Sequence, residues 1–233
     1  MRPHTICLMM TSLDGKTDAD VIGLYADPDL FEQTHPKLEG DAWLCGRTTL
    51  QRDFAEFAEP EPFHNDGSDP IGEDAVHVAR TGGTFAVAAD TGGQILWKGG
   101  QVDGDHVITL TSQKASKRFL GELRGRGASY IVAGETEIDL PAAFDTLGSA
   151  FGIGRLIVEG GGHINGAVLE AGLIDEFSLL LTPGIDGREG PSASFDGRPT
   201  QPLSAFPASL LSVERLERDV LWLRYRVEGR KQG

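Results

Sequence analysis

The sequence predicts one α/β domain, a mostly parallel sheet with helices on both faces and a closing antiparallel hairpin. Three observations lead there. Short apolar runs of strand length alternate with segments of helical spacing along the 233 residues, as strand–helix–strand crossovers require. Two of these runs end in glycine and open directly into helical patterns, at Gly46 and at Gly160-Gly161-Gly162. Near the C-terminus two strand patterns are separated only by a polar turn. The length suits one domain, and no internal stretch reads as a linker, so the domain is expected to run over 1–233.

In chain order, Ile6 to Met10 reads as the first strand, ending before a turn at Asp14-Gly15. Asp41 to Cys45 reads as a second strand, followed by a helix from about Thr48. Thr84 to Ala89 and His106 to Thr111 are further strands. Ser112 is the expected N-cap of a helix carrying Ala115, Phe119, Leu120 and Leu123. Tyr130 to Ala133 is a short strand. Asp139 then caps a helix with Pro141 in its first turn and an apolar stripe of Leu140, Phe144, Leu147 and Phe151. Arg155 to Val158, the glycine turn and a helix ending at Gly172 form the clearest unit. Glu176 to Thr182 is a strand stopped by Pro183. The hairpin pairs Leu210 to Leu216 with Val220 to Val227, where Leu221, Leu223, Tyr225 and Val227 share a face opposite Trp222, Arg224 and Arg226. Residues 59–83, rich in Pro, Gly and Asp, read as a long surface loop.

The formal net charge is −14, which disfavours nucleic acid because phosphate neutralisation needs a basic face. No apolar run approaches the roughly 18–20 residues of a membrane span. The first residues read as a strand, not a signal peptide. Cys7 and Cys45 lie in apolar runs, as expected of buried thiols in a reducing cytoplasm, and this argues against a disulfide framework. The histidines have no ligand spacing, so no metal is expected. Neither the Rossmann glycine order nor the Walker pattern is present.

Four segments could carry chemistry. In Glu159-Gly160-Gly161-Gly162 a strand end meets a helix start, where glycines let a pyrophosphate approach backbone N–H groups. The same glycines could serve turn geometry alone. Valine at Gly161 or Gly162 is expected to block the ligand while sparing the fold. Gly46-Arg47-Thr48-Thr49 repeats the strand–helix arrangement; Arg47 could fork onto a phosphate or lie solvated. Thr111-Ser112 with Lys114 could hold a 2′-phosphate. Ser12, Asp14 and Lys16 follow the first strand, where open sheets collect ligands; a simple turn is the alternative.

As an ordered set these motifs resemble the reductase domain of bacterial riboflavin-biosynthesis deaminase-reductases and its free-standing relatives, which share the dihydrofolate reductase fold. The resemblance rests on Ser12-Leu13-Asp14-Gly15-Lys16, Gly46-Arg47-Thr48-Thr49 with Asp53, Val158-Glu159-Gly160-Gly161-Gly162, and Ala171-Gly172-Leu173-Ile174-Asp175-Glu176 followed by Pro183 and Gly187. It implies an NADPH-dependent oxidoreductase, cytoplasmic and homodimeric, acting on 5-amino-6-(5-phosphoribosylamino)uracil or a similar small molecule. It implies that Thr49 and Asp53 lie along the cofactor, that Gly160 to Gly162 meet the pyrophosphate, and that Lys16 and Glu159 face the substrate as the catalytic pair, with Ser12 and Asp14 nearby. Arg47, Thr111 and Ser112 resemble phosphate-binding places of dihydrofolate reductases. The hairpin's apolar residues on both faces also point to a dimer.

The substrate side departs from the family pattern. Where the family carries an Arg three residues after a His on the first helix, His35 here is followed by Leu38. The stretch after Asp53 offers Glu56, Glu59 and Glu61, which would repel a phosphate. The His-x-Glu and Pro-Cys-x-x-Cys motifs of the zinc deaminase half do not occur in this sequence. An altered substrate-phosphate site is therefore expected. Two alternatives stand beside this reading. One is a dihydrofolate or pterin reductase, with Asp27 or Asp29 as the buried acid. The other is a non-catalytic nucleotide-binding dimer module.

Overall fold

The computed structural model describes residues 1–54, 56–57, 71, 75–197, 204–229 and 231–232. In chain order its strands are β1 (His4–Thr11), β2 (Ala42–Gly46), β3 (Glu56–Phe57), β4 (Val76–His77), β5 (Phe85–Ala89), β6 (Ile95–Leu96), β7 (Gln101–Val102), β8 (Asp105–Thr111), β9 (Ser129–Val132), β10 (Arg155–Val158), β11 (Glu176–Leu181), β12 (Ser204–Ala205), β13 (Ala208–Arg215), β14 (Leu221–Val227) and β15 (Lys231–Gln232). The helices are α1 (Ala19–Ile22), α2 (Leu30–Thr34), α3 (Arg47–Asp53), α4 (Lys117–Gly125), α5 (Leu140–Phe151) and α6 (Gly162–Glu170), with a 3-10 turn at His35–Leu38 after α2. Two compact units emerge: Met1–Pro3 with Asp41–Leu156, and His4–Gly40 with Ile157–Gly233.

In the first unit β2, β5, β8 and β9 run parallel in that order, with β4 antiparallel on β9. The run Phe85-Ala86-Val87-Ala88 is buried throughout, as a parallel strand covered on both faces should be. The register pairs Gly46 with Ala89 and Ala89 with Leu110, so the carboxyl ends of β2, β5 and β8 share one edge. The core gathers Leu50, Ile95, Trp97, Phe119, Leu123 and Tyr130. Trp97 is buried without loss of its polar atom, because its indole N–H donates to Thr109 Oγ1 at 3.0 Å. α5 follows the expectation closely. Asp139 accepts the Ala142 N–H at 3.1 Å, and Leu140, Phe144, Leu147 and Phe151 are all buried.

Two expectations change here. Ser112 does not cap α4; Ser116 does, accepting the Phe119 N–H at 3.1 Å. Ala115 is fully buried ahead of the helix, so it belongs to the approach and not to the helical stripe. The stretch read as one loop over 59–83 holds strand β4, paired antiparallel through Val76 to Ile131. Residues 59–70 and 72–74 of that stretch, Glu59 and Glu61 among them, lie outside the described residues.

In the second unit the strand order is β13-β14-β11-β1-β10, the last through Ile157 and Val158. β1 and β11 are parallel, Ile6 opposite Glu176 through Thr11 opposite Leu181. β14 joins β11 antiparallel and folds back onto β13 as the predicted hairpin. The face carrying Trp222, Arg224 and Arg226 is anchored by Trp222 Nε1 donating to Ser178 Oγ (2.8 Å) and by the Arg224–Glu176 fork (2.6 and 3.1 Å). On the other face Phe177, Leu179 and Leu181 of β11 stand opposite Tyr225, Leu223 and Leu221 of β14 and remain only half-buried. On β13, Leu210 and Val213 extend that face and are exposed, 55 % and 57 %.

Cys7 and Cys45 are buried and neither forms a disulfide. Among the described residues no helix is long and apolar enough to cross a membrane, and no side-chain cluster could hold a metal ion.

Candidate active site

The second unit builds two turns beyond strand ends. The first follows β1. Ser12, buried at the strand's end, donates its hydroxyl to Asp14 Oδ1 at 2.7 Å and accepts the Lys16 N–H at 3.0 Å. Gly15 takes the left-handed conformation, φ +81°, that closes the turn. Asp14 then accepts the N–H groups of Asp186 at 3.0 Å and Gly187 at 2.9 Å. The Ser12 hydroxyl and these two amides hold the Asp14 carboxyl well below the usual carboxylate range. Lys16 bridges to Ala193, and its ammonium reaches the Pro191 carbonyl at 3.4 Å. Ser12, Asp14 and Lys16 thus come together, with Asp14 committed to a structural clamp.

The second turn follows β10. Glu159 is 12 % exposed, and its Oε1 makes a short contact with Nδ1 of His35. Burial pushes the Glu159 carboxyl up, and the contact with His35 opposes that shift. Underneath, the fully buried Cys7 thiol is pushed up by desolvation and by the Glu159 charge. Its thiol proton is therefore retained, and Cys7 packs as a small apolar residue. No spacing pattern could reveal the His35 contact, because the two residues lie 124 positions apart.

The glycines that follow serve different purposes. Gly160 has φ +107°, a conformation other residues rarely adopt. At Gly161 an added Cβ meets nothing within 4 Å. At Gly162 a Cβ would run into Asp196 and the Ala193 carbonyl, and at Gly166 into the Asp196 backbone. Gly162 and Gly166 therefore admit the 193–196 segment against α6, which Asp196 N–H to Gly162 O at 2.9 Å and Asn165 Nδ2 to Ser194 O at 2.8 Å fasten. The expectation that valine at Gly162 would spare the fold is corrected by this packing. Gly161 is the N-cap of α6 without any side-chain cap, so the helix presents uncapped N–H groups beside open space. That arrangement fits an anionic cofactor group.

The first unit places its candidates at the shared carboxyl edge. Gly46 is the N-cap of α3, again without a side-chain cap. Arg47 is exposed and donates to Gln51 Oε1 at 2.7 Å. Thr49 is half-buried on α3, and Asp53 is the last residue of that helix. Thr111 and Ser112 are buried, and both hydroxyls donate to the Thr91 carbonyl, at 3.2 and 2.8 Å. Sequence reasoning passed over Asp90 at the end of β5. It is 1 % exposed, accepts the N–H groups of Gln94 and Ile95 on Oδ2, and has no partner on Oδ1 among the described residues. Burial pushes its carboxyl up. The Asp90-Thr91-Gly92-Gly93 run after a strand is the turn signal that could have marked it.

Comparison with known proteins decides the family. The sequence pattern of the RibD C-terminal domain matches residues 87–222. The chain belongs to the RibD C-terminal domain family. A 2,5-diamino-6-ribosylamino-4(3H)-pyrimidinone 5′-phosphate reductase of Methanothermobacter thermautotrophicus is 28 % identical over 199 residues, 84 % of this chain and 85 % of that protein. Among solved structures, a pyrimidine reductase-like protein from Corynebacterium diphtheriae superposes with a TM-score of 0.69 at 20 % identity, covering 97 % of this chain and 92 % of that one. The riboflavin biosynthesis reductase Rib7 of Saccharomyces cerevisiae gives 0.62 at 15 % identity, covering 97 % and 90 %. These neighbours support the dihydrofolate-reductase-like α/β fold.

Leu38 is 2 % exposed and part of the core, and the neighbouring Lys37 ammonium lies 5.5 Å from the Trp222 ring centre. The carboxylates considered for pterin chemistry are not buried. Asp29 is exposed, and Asp27 is half-buried and accepts the Asp29 N–H at 3.0 Å.

Proposed function

We propose that this protein is an NADPH-dependent reductase of a ribosylamino-pyrimidine 5′-phosphate, acting in riboflavin synthesis in the cytoplasm as a homodimer. The observation that carries the reading is the Glu159–Gly162 turn, where a tuned, partly exposed carboxylate stands directly before an uncapped helix start with room over Gly161. The name of the Methanothermobacter thermautotrophicus relative supplies the substrate class.

In this reading the backbone of Gly160 to Gly162 takes the pyrophosphate. On the first unit, Gly46, Arg47, Thr49 and Asp53 are assigned to cofactor binding. Arg47, exposed and held by Gln51, is the cation for a 2′-phosphate, while Thr111 and Ser112 fix the Thr91 segment. A bound reduced nicotinamide supplies hydride. The chain's own part is to orient the glycosylamine carbon and to manage protons there. Lys16, held by the Ser12–Asp14 turn, and Glu159 face the substrate. Ser12 and Asp14 serve it by fixing that turn.

A homodimer is supported by the half-buried face of Phe177, Leu179, Leu181, Leu221, Leu223 and Tyr225, continued by exposed Leu210 and Val213. A contiguous apolar face of this kind calls for a cover, and a second copy supplies one. The two buried cysteines, neither in a disulfide, suit a reducing compartment.

A second reading is favoured by Leu38. With a core leucine where the family has an arginine, the site accepts an unphosphorylated ribosylamino-pyrimidine as readily. The test is NADPH oxidation with phosphorylated and dephosphorylated ribosylamino-pyrimidines and with dihydropterin. Oxidation with the pyrimidines and none with dihydropterin is expected. A kcat/KM ratio near one between the two pyrimidines supports the second reading. A preference of about 30-fold or more for the phosphorylated form refutes it.

A further inference from the structure

We propose that His35 and Glu159 hold one proton between them, and that His35 is the positioning residue that sets the charge of Glu159 for proton delivery to the substrate. The inference rests on the reductase reading above and adds a residue to it.

Geometry is the first ground. His35 begins the turn after α2 and brings Nδ1 into short contact with Glu159 Oε1. Among the described residues Glu159 makes no other side-chain hydrogen bond, and its Oε2 is not sealed from solvent. Asp14, by contrast, has protein donors on both oxygens. Glu159 leaves one oxygen open to solvent or to a ligand.

Charge is the second ground. The groups facing Glu159 are His35, Glu32 from α2 and the Cys7 thiol from β1. Glu32 repels the ionised form, and Cys7 is neutral and offers no counter-charge. His35 alone of these stabilises the carboxylate. Desolvation favours the proton on Glu159, and the ring favours it on His35. The two opposing effects leave a single proton to move between Oε1 and Nδ1.

The chemical use follows from balance. Reduction of an imine carbon needs two electrons, which arrive with the hydride, and one proton at nitrogen. When the N–H bond forms, the Glu159 O–H bond breaks. The pair is left as a Glu159 carboxylate beside a neutral His35 ring, and one proton taken up from solvent restores the shared state. Without His35, the buried carboxylate would keep its proton too firmly and recover no second one.

Two measurements test this. The first is NMR titration of the histidine ring nitrogens in the wild type and in Glu159→Gln, without cofactor or substrate. The His35 titration should move to lower pH in the variant; an unchanged titration overturns the shared proton. The second is the pH dependence of kcat and KM in His35→Asn and His35→Gln, with unchanged NADPH affinity as the check on folding. The expected result is a kcat loss of about 100-fold at little-changed KM, and a pH profile altered in both variants. Wild-type kcat and pH profile in either well-folded variant overturn the role in proton delivery. If the wild type oxidises no NADPH with any pyrimidine, the reductase reading fails, while the ring titration still decides the pair.

Discussion

The turns after β1 and β10 lie in one unit, and each begins with a strand end and contains an acid beside a glycine. Asp14 is exposed yet fully engaged, with three donors that lower its proton affinity. Glu159 is nearly buried yet half-engaged, with one partner and a raised proton affinity. The contrast teaches that burial alone does not mark a structural acid. Asp14 builds a rigid platform for Lys16, and Glu159 stores the strain of a poorly solvated charge where a ligand could relieve it.

The largest effect that could break this contrast is on turnover. Glu159→Gln should lower kcat by about 100-fold or more, the range of a lost acid–base group. The same variant should be at least as stable as the wild type near neutral pH. An ordinary glutamate loses its proton near pH 4.3 when unfolded, and Glu159 keeps it to higher pH in the fold. Across that window the unfolded chain sheds a proton that the folded chain retains, so stability falls as pH rises and then levels off. Denaturant titrations over the window should show this slope in the wild type and not in the variant.

Next comes the glycine pair. Gly161→Val should weaken NADPH binding by about 100-fold while the melting temperature stays close to wild type. Gly162→Val should instead destabilise the fold by about 1–3 kcal/mol, because its side chain would displace the segment at Asp196. Calorimetric binding and thermal melts separate the two; wild-type NADPH affinity in a well-folded Gly161→Val would show that Gly161 does not meet the cofactor.

A smaller effect is expected at Arg47. Its replacement by alanine should cost about 10-fold in NADPH affinity and nothing for NADH, since a charge-assisted contact contributes about 1.5–3 kcal/mol at most. For the apolar face, Val213→Glu should convert the dimer to a monomer in light scattering. A wild type that is already monomeric at micromolar concentration would remove the dimer from the account.

Much of the fold was legible because its signals are local. Asp139, Pro141 and the Leu140–Phe151 stripe define α5 within a few turns. Alternation in β14 foretold which residues face Glu176 and Ser178. The Ser112 cap failed because Ser116, four residues on, offers the same chemistry, and only the burial of Ala115 decides between them. The candidate site was legible where backbone shape carries it, at Gly160 and Gly161. It was not legible where distant segments meet. The His35–Glu159 contact, the close fit of Asp196 over Gly162 and the unpartnered oxygen of Asp90 all depend on tertiary placement.

The smallest effect belongs to Asp14→Asn. The depressed Asp14 stabilises the fold above about pH 3.9, the unfolded value, and that contribution is lost as pH falls through the folded value. The variant should lack this acid-side loss, and its Asp186 and Gly187 amides should exchange faster.

The comparison of the two acids is tested most directly by single-turnover reduction with NADPH and pyrimidine both saturating, in Glu159→Gln and Asp14→Asn side by side. The account predicts a hydride-transfer rate about 100-fold or more below wild type for Glu159→Gln and within about threefold of wild type for Asp14→Asn. A chemical step lost in Asp14→Asn and retained in Glu159→Gln would contradict it.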